Sequence, residues 1–190
     1  MIVSLDQLLR SAGDGDAEAW RGLIEAYAGR VYALIYRRCR DGELAEEITQ
    51  ATFVKVVGKL GEYKELGRFE AWLFRIAINA LRDEMRRRKR QAVSVDFGRT
   101  PPEMLGRSSP GSAPGEDLER QERYATLRRA VAELPEADRE ILELRYTAEL
   151  TFAQIAQVLE EPLGTVLARG HRALKKLRER LGTTGGSGSI

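Results

Sequence analysis

The stretch T-F-A-Q-I-A-Q-V-L-E-E-P-L-G-T-V-L-A-R-G-H-R-A-L-K-K-L-R, residues 151–178, decides the fold. Thr151 is a natural N-cap for a short helix whose Phe152, Ile155, Ala156 and Leu159 recur at three-and-four spacing. A break over Glu160 to Gly164 leads into a longer helix ending near Leu181, with Val166, Gly170, Ala173, Leu174, Leu177 and Leu181 on its inner side. A short capped helix, a tight break and a longer basic helix make a helix-turn-helix. Thr165, Ala168, Arg169, Arg172 and Lys176 then share the outward face. Short and basic side chains at the start of such a helix suit the major groove of duplex DNA, where Arg pairs with guanine edges or with phosphates.

Working upstream, Glu136 to Ala148 reads as a helix carrying Ile141, Leu142, Leu144 and Tyr146, and Pro135 separates it from a charged helix over Glu116 to Leu134. The apolar side of that charged helix is Leu118, Tyr124, Leu127 and Val131. Before it, Gly98 to Gly115 is dominated by proline, glycine and serine, with only Met104 and Leu105 able to pack. Such a segment cannot offset its ordering entropy, so a flexible linker is expected over 98–115. With frayed edges of about 25 residues in all, it would span roughly 25–30 Å.

The N-terminal half is helical too. Trp20, Leu23, Ile24, Tyr27, Val31, Leu34 and Ile35 follow the helical period, with Asp14 or Asp16 as N-cap. A second helix is predicted over Glu43 to Leu60, with Leu44, Ile48, Ala51, Val54 and Val57 on one side and Phe53 and Val56 beside that stripe. A third starts near Arg68, turns Phe69, Trp72, Leu73, Ile76, Ala77 and Ala80 inward, and ends in the basic run Arg86 to Arg90. Phe69, Trp72, Phe74 and Asn79 ahead of that run are the aromatic and basic mixture that holds unstacked single-stranded bases. No segment of comparable length alternates with a period of two, so the fold class is all-α, with two small helical domains.

Composition narrows the function. The net charge is only +2 over 190 residues, so nucleic-acid binding must come from clustered basic residues. One cysteine, Cys39, excludes an intramolecular disulfide, and with one histidine, His171, it excludes a conventional zinc cluster. Cys39 is expected as a small residue late in a helix. No cofactor and no metal are implied, and no nucleophile–base arrangement or phosphate-binding loop stands out. Glu46 and Glu47 are expected as solvated helix carboxylates. The N-terminus has no secretory pattern, and no apolar stretch reaches membrane-spanning length, so a cytoplasmic chain without membrane insertion is expected.

Five stretches together resemble a known family. E-E-I-T-Q-A-T-F (Glu46 to Phe53) and F-E-A-W-L-F-R-I-A-I-N (Phe69 to Asn79) resemble region 2 of extracytoplasmic-function (group IV) RNA polymerase sigma factors. L-P-E-A-D-R-E-I-L-E-L-R-Y (Leu134 to Tyr146), F-A-Q-I-A-Q-V-L (Phe152 to Leu159) and G-T-V-L-A-R-G-H-R-A-L-K-K-L-R (Gly164 to Arg178) resemble region 4. The resemblance implies a region 2 domain over 1–97, the linker, a region 4 domain over 116–182 and a flexible tail over 183–190. It implies a subunit that directs core RNA polymerase to promoters and is not itself an enzyme. Glu47, Gln50, Phe53 and Lys55 would dock on the β′ clamp, with the β flap as a further polymerase contact. Tyr63, Trp72, Arg75, Asn79, Arg82, Arg86 and Arg87 would hold the −10 element, with a flipped base in a pocket. Thr165, Ala168, Arg169, His171, Arg172 and Lys176 would meet the −35 duplex. An anti-sigma factor is an implied partner.

Three departures mark this chain. Ala51 stands where the family usually has Glu. Glu160-Glu161 replace a Gly-plus-apolar pair in the turn. Leu167-Ala168 and Gly170 replace a basic residue, Ser and an apolar residue. A stand-alone helix-turn-helix regulator would account for the second half and leave the first unexplained. An enzyme acting on nucleic acid would want a metal-ligand cluster that the composition does not supply.

Overall fold

A computed structural model describes residues 4–61, 63, 67–95 and 117–184. The expected linker, 98–115, and most of the expected tail lie outside the described residues. Among the described residues eight helices follow in order: α1 (Leu5–Gly13), α2 (Ala17–Cys39), α3 (Gly42–Leu60), α4 (Phe69–Val95), α5 (Asp117–Ala132), α6 (Glu136–Tyr146), α7 (Phe152–Leu159) and α8 (Leu163–Thr184). There is no strand among the described residues, and no helix among them is long and apolar enough to cross a membrane.

Local chemistry sets most of these boundaries. Asp16 caps α2 by accepting from the amides of Glu18 and Ala19, and Asp41 caps α3 through Leu44. Thr151 and Gln154 form a capping box at α7. A second capping box, Ser4 with Gln7, starts α1, a helix absent from the expected elements. The break after α7 is tighter than expected, since α8 begins at Leu163. At its other end α8 continues to Thr184, two residues into the stretch expected as tail. Cys39 is buried at the end of α2, where its thiol donates to the Asp41 carbonyl. That burial pushes the thiol pKa up.

The inner face of α3 is rotated from the expected one. Phe53 and Val56 are core residues, whereas Val54 and Val57 are 71% and 53% exposed. The rotation is made possible by Thr49 and Thr52. Both are buried, and each hydroxyl donates 2.7 Å to the carbonyl one turn back, of Ala45 and Ile48 respectively. A threonine satisfied in this way packs as an apolar residue would. On α4, Phe74 and Ile78 are fully buried beside Phe69, Leu73 and Ala77, so Phe69 and Phe74 belong to the core rather than to a base-stacking surface. Tyr124 and Leu127, expected on the apolar side of α5, are exposed, and Ala130 and Leu134 do the packing in their place; Tyr146 at the end of α6 is exposed too.

The two halves lie against each other. One apolar cluster runs from Leu23, Leu34, Ile48, Leu73 and Phe74 of the first half to Ile141, Leu150 and Ile155 of the second. A smaller cluster, Ala130, Leu134, Leu142, Ala173 and Leu177, ties α5 and α6 to α8. Polar bridges reinforce the seam. Arg30 pairs with Glu70 at 2.8 Å and donates Nε to the Ala148 carbonyl at 3.2 Å. Gln154 Nε2 donates to Glu70 at 2.7 Å. Glu140 on α6 lies 2.9 Å from Arg38 and 3.0 Å from Arg82. Glu143 approaches Arg38 at 3.3 Å, and burial pushes its carboxyl above the ordinary value despite that charge.

Candidate nucleic-acid interface

One long face of α4 carries the first set of candidate residues. Trp72, Arg75, Asn79, Arg82 and Arg86 follow one another at intervals of three and four, so they form a stripe about 21 Å long. Trp72 is half-buried, and Tyr63 stacks on it with ring centroids 4.7 Å apart and planes inclined by 26°. Phe69 meets Tyr63 edge-on at 6.0 Å from the core side. Beside this pair is a cavity of about 410 Å³ lined by Tyr63, Arg68, Ala71, Trp72 and Arg75, with Gln157 and Glu160 of α7 and its C-cap on the opposite wall. An aromatic shelf with arginines at its rim suits a nucleobase with its phosphate.

Carboxylates already engage the cations of this stripe. Arg75 pairs with Glu160 at 3.2 Å and Arg82 with Glu140, both across the seam. Arg86 pairs with Asp83 at 3.1 Å. Arg87 and Arg88 both grip Glu84, at 2.7 and 2.9 Å, and the bond from Arg87 foremost holds the Glu84 carboxyl down at about 2. Asn79 is exposed on the same face.

The second set sits on α7, the turn and α8. Glu160 takes a left-handed conformation, φ 57° and ψ 38°, which closes α7 and turns the chain. Gly170 explains itself by distance: a Cβ there would come within 2.9 Å of the Phe152 ring and 3.6 Å of Ile141. A glycine at this point lets α8 cross the start of α7 closely, at the usual helix-propensity cost of about 1 kcal/mol. Ala168 and His171 are exposed, and Thr165 is half-buried. Arg169 Nη1 donates to both oxygens of Glu161 at 2.7 Å. Arg172 and Lys176 converge on Asp138, at 3.2 and 3.1 Å. Asp138 is only 2% exposed. Burial pushes its carboxyl up, but the bonds and charges of Arg172 and Lys176 outweigh this and hold it below the ordinary value. Asp138, Glu140 and Glu161 were absent from the candidate residues, because only the folded chain brings them beside their arginines.

A third surface is the outer side of α3. Glu47, Gln50, Val54 and Val57 make an exposed stripe at three-and-four spacing, with Lys55 exposed alongside. Phe53 lies behind them in the core. Val54 and Val57 put two exposed valines at the C-terminal end of this otherwise polar stripe.

A helical fold with an aromatic, arginine-edged groove in its first half and a helix-turn-helix in its second defines a two-headed nucleic-acid-binding protein. Comparison with known proteins names the class. Residues 23–91 match sigma-70 region 2 and residues 130–179 match sigma-70 region 4. The chain is 27% identical to the ECF RNA polymerase sigma factor SigW of Bacillus subtilis, over 95% of this chain and 98% of that protein. It is 33% identical to the RNA polymerase sigma factor CarQ of Myxococcus xanthus, over 89% of this chain and 92% of that protein. The chain belongs to the ECF RNA polymerase sigma factor family. Its fold resembles that of the sigma factor RpoE of Bartonella quintana, solved with the anti-sigma factor NepR. The TM-score is 0.65 at 22% identity, covering 87% of this chain and 98% of that one.

Proposed function

We propose that this chain binds core RNA polymerase and directs it to promoters, region 2 (residues 1–97) holding the melted −10 strand and region 4 (residues 116–184) the −35 duplex, with 98–115 as linker. The observation that carries this reading is the coexistence of three separate surfaces in one small chain. These are the exposed stripe of α3 with its two valines, the Tyr63–Trp72 shelf with its arginines on α4, and the helix-turn-helix of α7 and α8. A regulator that bound duplex alone would have no use for the first two. The chain acts as a binding subunit in the cytoplasm and leaves the chemistry of synthesis to the polymerase.

Glu47, Gln50, Val54, Val57 and Lys55 form the polymerase-docking face on the β′ clamp, with region 4 turned toward the β flap. Trp72 and Tyr63 stack an unpaired base, Asn79 offers it hydrogen bonds, and Arg75, Arg82, Arg86 and Arg87 meet phosphates. Thr165, Ala168, Arg169, His171, Arg172 and Lys176 face the upstream duplex. Glu160 stands at the −10 groove and pairs with Arg75, so a promoter strand and α7 compete for one surface. Recruitment therefore requires the two halves to part. An anti-sigma protein that holds them together would inhibit, which makes such a protein a partner.

Co-purification tests the docking. The full chain should be retained by immobilised core polymerase, and Val54→Lys with Val57→Lys should abolish retention while leaving helicity and melting temperature unchanged. Retention of the folded double variant at the wild-type level would refute the assignment.

A further inference from the structure

The recognition helix has three differently built sides. Val166, Gly170, Ala173 and Leu177 are buried. Opposite them, Gly164, Ala168, His171 and Lys175 form an exposed crest that opens with the two smallest residues. Along one edge of the crest run Arg169, Arg172 and Lys176, each already engaged by Glu161 or Asp138. Along the other edge stand Leu163 and Leu167, 45% and 36% exposed. The leading two turns, where such a helix meets base edges, thus offer methyl groups rather than unengaged guanidinium groups. Among base-pair edges in the major groove, the thymine C5-methyl is the group that apolar side chains contact, whereas guanine is selected by Arg or Lys.

We infer that region 4 of this chain specifies thymine in its upstream element through Leu167 and Ala168, with the basic edge left to phosphates; the inference rests on the promoter-recognition reading above. Gly164 and Ala168 let the helix backbone approach the groove floor. Leu167, one position from Ala168, then reaches a methyl group beside the crest. Its i−4 neighbour Leu163 shields that contact from water. Losing one buried methyl group should weaken binding about four-fold.

The test uses holoenzyme assembled from core polymerase and the full chain. Promoters are selected from a library with a randomised upstream hexamer. The winners are then resynthesised with uracil for each thymine, or 7-deazaguanine for each guanine, in that hexamer only. The expected result is an invariant thymine at which uracil lowers open-complex formation about four-fold. Leu167→Ala should shrink that difference, and Leu167→Arg should move the preference at that position toward guanine. Leu167 is exposed, so both variants should keep the melting temperature of the wild type. Indifference to uracil at every position would overturn the inference while leaving promoter recognition standing. A loss confined to 7-deazaguanine would do the same. Failure to open any member of the library would overturn promoter recognition itself, and this inference with it.

Discussion

Glu140 ties the two halves together across the seam, and its removal should favour their separation. Its carboxylate on α6 serves two arginines of the other half at once, Arg38 at 2.9 Å and Arg82 at 3.0 Å. The Glu140 and Arg38 side chains are 17% and 16% exposed, so this is a largely buried pair. Deleting one partner of a buried pair costs about 3–5 kcal/mol, because the other charge is left without compensation. Two features reduce that figure: Arg82 is nearly half-exposed, and Arg38 keeps Glu143. A loss of about 1–3 kcal/mol remains, which shifts the closed-to-open ratio by about 5- to 150-fold. Glu160→Ala should do far less, below about 1 kcal/mol, since the Arg75–Glu160 pair is mostly in water. The assay is energy transfer between dyes on cysteines placed at Lys59 and Lys175, with Cys39 replaced by alanine. Wild type should be predominantly closed, Glu140→Ala should raise the open-to-closed ratio about 5- to 150-fold, and Glu160→Ala should lie close to wild type. Circular dichroism should show equal helicity in all three. A closed population unchanged by Glu140→Ala would refute this reasoning, as would a wild type already open.

Other consequences follow from particular contacts. Phe53→Ala should lower stability by about 3–5 kcal/mol in urea unfolding, because Phe53 is a core residue; a change below 1 kcal/mol would return it to the surface. Gly170→Ala gains about 1 kcal/mol of helix propensity but forces a Cβ to 2.9 Å from the Phe152 ring, at about 1–3 kcal/mol of overpacking. Its melting temperature should therefore fall, and a rise would contradict the close crossing. Glu84, held at about 2 against an ordinary 4.5, contributes stability that is present above pH 4.5 and lost as pH falls toward 2. Glu84→Gln should therefore flatten the acid side of the stability profile, and profiles parallel to wild type would refute the role given to Arg87 and Arg88. Asn79→Ala should impair opening on duplex promoters and capture of a pre-melted −10 strand, while Arg172→Ala should impair only the duplex; equal losses on both templates would defeat the two-headed division.

The sequence carried the helices well and their rotations less well. Periodicity located α2 to α8, and caps such as Asp16 and Thr151 fixed the starts of α2 and α7. It misjudged the inner face of α3 because Thr49 and Thr52 look polar in a string of letters and become apolar in effect only when their hydroxyls turn back onto the helix. Tyr124 and Leu127 misled for the opposite reason: apolar spacing on short helices does not say which neighbour arrives. Of the candidate sites, Trp72, Arg75, Asn79 and Arg82 fall on one face, as their spacing requires. The engagement of Arg75 by Glu160, Arg82 by Glu140 and Arg172 by Asp138 was not legible, since each pair joins residues separated by 34 to 85 positions. Glu160-Glu161 stood out in the sequence as an oddity of the turn. The structure turns that oddity into two contacts, one with Arg75 and one with Arg169.

Transcription reconstituted from purified components tests the central claim most directly. Core polymerase with and without the full chain is given the genomic DNA of the chain's own host, and transcript 5′ ends are mapped. The account predicts a set of start sites that appears only with the chain. These sites should share an upstream and a −10 element at fixed spacing and disappear with Val54→Lys, Val57→Lys. Start sites identical with and without the chain, together with tight duplex binding by the chain alone, would contradict it.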